Sequence, residues 1–132
     1  MVTTYLSHYV AGITAAGDRY LPMPADSSPY EVVSAVFLPW AAVAASDSNA
    51  WTVALKSTDG EAGTPGSSMG GFNTTAATGA ALAVNDKVAI TVTAANAQIP
   101  AGGSILIDVD ETGTADALEG VFVIGVRKLP PA

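Results

Sequence analysis

Apolar and polar residues alternate along much of this chain with a period of two. In WTVALKS (51–57), Trp51, Val53 and Leu55 share one side, while Thr52, Ala54 and Lys56 share the other. In DKVAITVTA (86–94), Val88, Ile90 and Val92 oppose Ala89, Thr91 and Thr93. In GSILIDVD (103–110), Ile105, Ile107 and Val109 oppose Ser104, Leu106 and Asp108. Successive side chains of a strand point to opposite faces, so this pattern predicts half-buried β-strands. The runs YEVVSAVFL (30–38) and EGVFVIGVRK (119–128) are apolar on both sides. They predict central strands, or strands covered by a neighbouring subunit.

Turn residues punctuate these runs: AAGD at 15–18, ASDSNA at 45–50, TDGEAGTPGSSMGG at 58–71, VND at 84–86 and IPAGG at 99–103. Short strands at near-regular spacing with such turns predict an all-β, antiparallel β-sandwich or barrel. Only AAVAAS (41–46) and TAATGAALAV (75–84) are compatible with helix, and both are short. The closing LPPA ends the last strand, because proline cannot continue a ladder. Residues 13–132 read as one domain, with no internal repeat. Residues 1–12 are uncharged apart from the histidine, open on apolar and hydroxyl side chains, and are a candidate N-terminal arm.

Charge narrows the function classes. The chain has 132 residues and a net charge of −7, with only Arg19, Lys56, Lys87, Arg127 and Lys128 basic. Nucleic-acid binding needs a cationic surface, and scattered cations do not make one. An anionic membrane surface is disfavoured for the same reason. There are no cysteines, which excludes disulfides and thiolate metal sites. No secretion signal opens the sequence, and AVFLPWAAVAAS (35–46) is too short to span a bilayer. These features predict a soluble protein made in the cytoplasm.

One stretch carries candidate metal chemistry. DVDETGTADALE (108–119) has the oxygen-ligand spacing of an EF-hand calcium loop, with Asp108, Asp110, Asp116 and Glu119 as candidate calcium ligands. EF-hand loops are flanked by helices, whereas the flanks here read as strands. The alternative is an exposed hairpin loop whose acids serve solubility.

GSSMG (66–70) matches the pattern of a hydrolase nucleophile elbow around Ser68. It lacks the strand–helix flanks, and the only histidine, His8, comes earlier in the chain. No set of nucleophile, base and orienting group can be assembled, so no enzyme is expected. Trp40, Trp51, Tyr20 and Tyr30 are candidates for a sugar-stacking platform or for core packing. Trp51 sits on an apolar side and reads as core; Trp40, after Pro39, reads as exposed or at an interface.

Taken in order, the segments ITAAGDRYLP (13–22), AVNDKVAITV (83–92) and DETGT (110–114) resemble the capsid decoration or head-fibre proteins of tailed bacteriophages. The resemblance runs over most of the chain and rests on β-turn patterns. It implies a jelly-roll-like sandwich, homo-oligomers with trimers favoured, and a place on the outer capsid surface of the virion, contacting the major capsid protein. It implies no catalysis; no cofactor is expected apart from the candidate calcium, and synthesis is expected in the host cytoplasm. The residues leave a second reading open: a calcium-dependent carbohydrate-binding or adhesion module using exposed aromatics and the 108–119 loop.

Overall fold

The computed structural model describes residues 2–24, 28–58 and 65–130. Among these residues nine strands follow one another: β1 (Thr3–Ile13), β2 (Gly17–Pro22), β3 (Tyr30–Pro39), β4 (Ala50–Thr58), β5 (Ser68–Asn73), β6 (Val88–Ile90), β7 (Gln98–Ile99), β8 (Ser104–Thr112) and β9 (Leu118–Lys128). One short 3-10 turn covers Ala94–Asn96, and the described residues contain no α-helix. The two alanine-rich stretches form turns and an isolated bridge between Val43 and Leu82.

The strands divide into two antiparallel sheets. One has the order β1-β9-β3-β6, with the short β7 also on β3; the other has the order β2-β8-β4-β5. The pairs β4–β5, β3–β6, β2–β8 and β1–β9 are nested in sequence like the two arms of one long hairpin. Rolling that ribbon up brings β8 onto β4 and β9 onto β3. This is the jelly-roll arrangement of an all-β sandwich. The doubly apolar runs become β3 and β9, the two central strands of the five-stranded sheet. Residues 3–13, most of the expected arm, form β1 at the edge of that sheet, paired with β9 from Thr3↔Arg127 to Val10↔Gly120.

The alternation seen in the sequence sorts side chains as a sandwich requires. Trp51, Leu55, Ile105, Ile107, Phe122 and Ile124 are fully buried between the sheets. The rings of Phe37, Phe72 and Phe122 cluster, with Phe37 4.6 Å from Phe122 and 5.2 Å from Phe72. The largest buried side chain, Trp51, also satisfies its polar groups. Its indole N–H donates to the Asp116 carbonyl at 2.7 Å, and its backbone N–H donates to Thr74 Oγ1 at 2.9 Å. Burying an aromatic of this kind contributes on the order of 1.5–3 kcal/mol, and the hydrogen bonds avoid the cost of unpaired polar atoms.

One connection differs from the expected form. The acidic loop was expected to close a hairpin, but β8 lies in the four-stranded sheet and β9 in the five-stranded one. Residues 113–117 therefore cross from one sheet to the other over the end of the sandwich. Gly113 makes the crossing possible: its φ is +66°, and a Cβ there would lie 2.1 Å from the Ser48 carbonyl oxygen. Next to it, Asn49 Oδ1 accepts the Thr114 N–H at 2.9 Å. A hairpin and a crossover leave the same turn residues in a sequence; only the partners of each strand tell them apart.

At the other border, β6 ends after three residues because the chain crosses to the opposite sheet. Thr93 N–H donates to the Met69 carbonyl at 2.6 Å, and the Asn96 side chain donates to the Ser68 carbonyl at 3.0 Å. The chain then returns, and the Val32 N–H donates to the Ala97 carbonyl at 2.9 Å.

Candidate functional site

The outer face of the five-stranded sheet is the distinctive surface of the molecule. Register places Tyr5, Ser7 and Tyr9 of β1, Val121 and Val123 of β9, and Val36 and Leu38 of β3 on the side away from the core. The four aliphatic side chains are half-buried, and Tyr5 and Tyr9 are 67% and 47% exposed. Trp40, 47% exposed just beyond β3, packs on Tyr9 with ring centroids 4.9 Å apart. The Tyr9 hydroxyl donates to Glu119 at 2.6 Å. That hydrogen bond, with partial desolvation and the nearby negative charge, raises the pKa of the Tyr9 phenol. Tyr5 stands over Gly125: a Cβ on Gly125 would lie 3.2 Å from the Tyr5 ring and 2.4 Å from Ser34 Oγ. The missing side chain lets the ring lie close to the sheet.

Sequence reasoning picked out Trp40 as exposed or at an interface, and it is exposed. It missed Tyr5 and Tyr9 as members of the same surface. The signal was present in the alternation of Tyr5, Ser7 and Tyr9 against Leu6, His8 and Val10. Assigning residues 1–12 to an arm left that period unused. The other aromatics are elsewhere: Trp51 and Tyr30 are buried, and Tyr20 is exposed on the outer face of the four-stranded sheet. The four do not form one platform.

The four candidate calcium ligands are dispersed. Asp108 and Asp110 project from β8 on the outer face of the four-stranded sheet. Asp108 is in an ion pair with Lys56 at 3.0 Å, and Asp110 is exposed. Asp116 lies in the crossover, where its Oδ2 accepts the Ala44 N–H at 3.0 Å. Glu119 lies on the outer face of the opposite sheet, bound to Tyr9. The crossover separates what a single turn would have brought together. Among the described residues no group of three or more His, Asp or Glu side chains is placed to hold a metal ion.

Asp18 faces Asp108 directly across the β2–β8 ladder. Desolvation, then the like charge of Asp108 and a hydrogen bond between the two carboxyls, raise the Asp18 pKa, and Lys56 opposes the shift. Ser68 and His8 sit at opposite borders of the sandwich, on β5 and β1. Ser68 Oγ accepts the Gly70 N–H at 3.3 Å. His8 shares the inward side of β1 with Leu6 and Val10. Burial, then the charge of Arg19, lowers its pKa. Arg19 Nε is buried without a hydrogen-bond partner among the described residues. A cleft of about 300 Å³ beside β5 is lined by Gly71, Phe72, Asn73, Thr78–Leu82 and Val88, without a titratable group. No described helix is long and apolar enough to cross a membrane.

No protein-family model matches the chain, and neither the curated proteins nor the solved structures contain a match to it.

Proposed function

We propose that this chain is a structural protein of a tailed-phage virion, decorating and stabilising the outer surface of the capsid. In this reading it binds the major capsid protein and assembles as a homo-oligomer, with trimers favoured. The observation that supports it most is the half-exposed apolar outer face of β1, β9 and β3, with Tyr5, Tyr9 and Trp40 around it. Contiguous apolar surface of this kind on a folded domain marks a contact with another protein. Burying it in subunit contacts of the assembled decoration layer would stabilise the shell by mass action. The motif resemblance over residues 13–22, 83–92 and 110–114 points the same way.

The test is the particle. In virions of a phage that encodes the chain, the protein should co-purify with DNA-filled heads, and antibody should label it on intact heads. Purified virions without it would overturn the proposal.

A second reading, a carbohydrate-binding or adhesion module, is favoured by the Tyr9–Trp40 pair beside the Glu119 carboxylate. Exposed rings stack on sugar faces, and a carboxylate accepts sugar hydroxyls. A glycan array, run with calcium and with chelator, should then show binding that Trp40→Ala removes. An array blank under both conditions rejects this reading.

A further inference from the structure

We infer that the outer face of the five-stranded sheet is the surface through which copies of this chain pack against one another. The inference rests on the self-associating reading proposed above and names the surface that does it.

Distribution of apolar groups is the first argument. Among the exposed large apolar side chains of the described residues, Tyr5, Tyr9 and Trp40 lie together on this side and Tyr20 on the outer face of the four-stranded sheet, while Val33 sits at the β3 bulge and Val2 and Val84 lie outside the strands. Tyr and Trp are the residue types that dominate the energetics of protein contacts.

Charge selects the occupant. The chain carries −7, so two copies repel in most orientations. On this face the formal charges nearly cancel. Glu31 and Arg127 form an ion pair, and Glu119 is engaged by the Tyr9 hydroxyl. Among the described residues, the opposite face sets Asp18, Asp108 and Asp110 against Lys56. A basic partner gains most on that acidic face and little here. An identical copy, itself acidic, meets least repulsion here.

The border of the face adds a third argument. β1 is an eleven-residue edge strand with no strand on its far side among the described residues and no acid, Lys or Arg along it. Exposed strand edges are commonly blunted by charge, and this one is not. Copies packed on the face bring that edge into the contact.

The experiment is light scattering over a range of concentrations on the intact chain, with Val123→Lys and Tyr5→Arg on this face and Thr52→Lys on the other. Tyr5 is exposed, so its replacement tests the surface even if Val123→Lys does not fold. We expect the wild type and Thr52→Lys to have a multiple of the 13.2 kDa chain mass. Tyr5→Arg and Val123→Lys should raise the dissociation constant at least tenfold. A wild type of one chain mass at all concentrations overturns the inference. So does an oligomer that both face variants leave intact, or one that Thr52→Lys dissociates as readily. Outer labelling of virions by a monomeric protein would sink this inference and leave the decoration reading standing.

Discussion

The two outer faces of the sandwich solve the same problem differently. Each sheet turns one side to the core and the other outward. The four-stranded sheet has one large aliphatic side chain on its outward side, Leu106, and leaves it only 2% exposed, flanked in register by Tyr20 and Lys56. Around it are Asp18, Thr52, Asp108 and Asp110, which suit water. The five-stranded sheet places Val36, Leu38, Val121 and Val123 outward and covers none of them fully. Closure over one face and openness on the other come from the same fold. The difference is therefore not one that the sandwich itself requires.

The largest test removes the core both faces share. Trp51→Ala should cost about 3–5 kcal/mol in chemical denaturation, because it leaves a cavity and orphans the Asp116 carbonyl. Leu106→Ala and Val123→Ala then separate the faces. The sealed Leu106 should cost roughly 2–5 kcal/mol. The half-exposed Val123 should cost under about 1 kcal/mol in the isolated chain. Equal losses would break the comparison.

Ion pairs should not distinguish the faces. Lys56→Met, which removes the partner of Asp108, and Arg127→Met, which removes the partner of Glu31, should each cost roughly 0–1 kcal/mol, since both pairs are partly exposed. A larger loss on one side would show that charge, rather than apolar exposure, sets the faces apart.

The smallest effects are read from pH. The His8 pKa is lowered in the folded chain, so the unfolded chain binds more protons below about pH 6.5, and stability falls as pH drops through that window. His8→Gln should flatten the melting temperature between pH 7 and 5. Asp18 has the opposite sign. Its pKa is raised, so its contribution is lost as pH rises above the unfolded value of 3.8. Asp18→Asn should melt slightly higher than wild type at pH 7, and the gap should close in acid.

Much of the fold was legible because one face of each strand is buried. Trp51, Val53 and Leu55, or Ile105, Ile107 and Val109, must share a side, and register follows from that. The central position of β3 and β9 was legible from their doubly apolar runs. The candidate site was less so. Asp108, Asp110, Asp116 and Glu119 lie within twelve residues of one another, but the sheet change at residues 113–117 leaves Asp108 and Asp110 on one sheet, Asp116 in the crossover and Glu119 on the other sheet. Local spacing carries no information about which sheet a strand joins. The outer face was half legible: Trp40 was visible as exposed, whereas Tyr5 and Tyr9 needed the pairing of β1 with β9. The motif around Ser68 runs back into a stretch of which residues 59–64 lie outside the described residues.

Nested pairing also sets a kinetic order. In a ribbon rolled up from one long hairpin, the entropic cost of closing each pair grows with the chain between its strands. Only residues 59–67 separate β4 from β5, whereas 14–117 separate β1 from β9. Assembly that starts at the β4–β5 tip and zips outward avoids that full cost and closes β1 on β9 last. A topology so dominated by distant pairings belongs among slow folders, on the scale of milliseconds to seconds. Until that last pair forms, the edge strand bearing Tyr5 and Tyr9 is the part of the molecule most open to pairing with a strand of another chain.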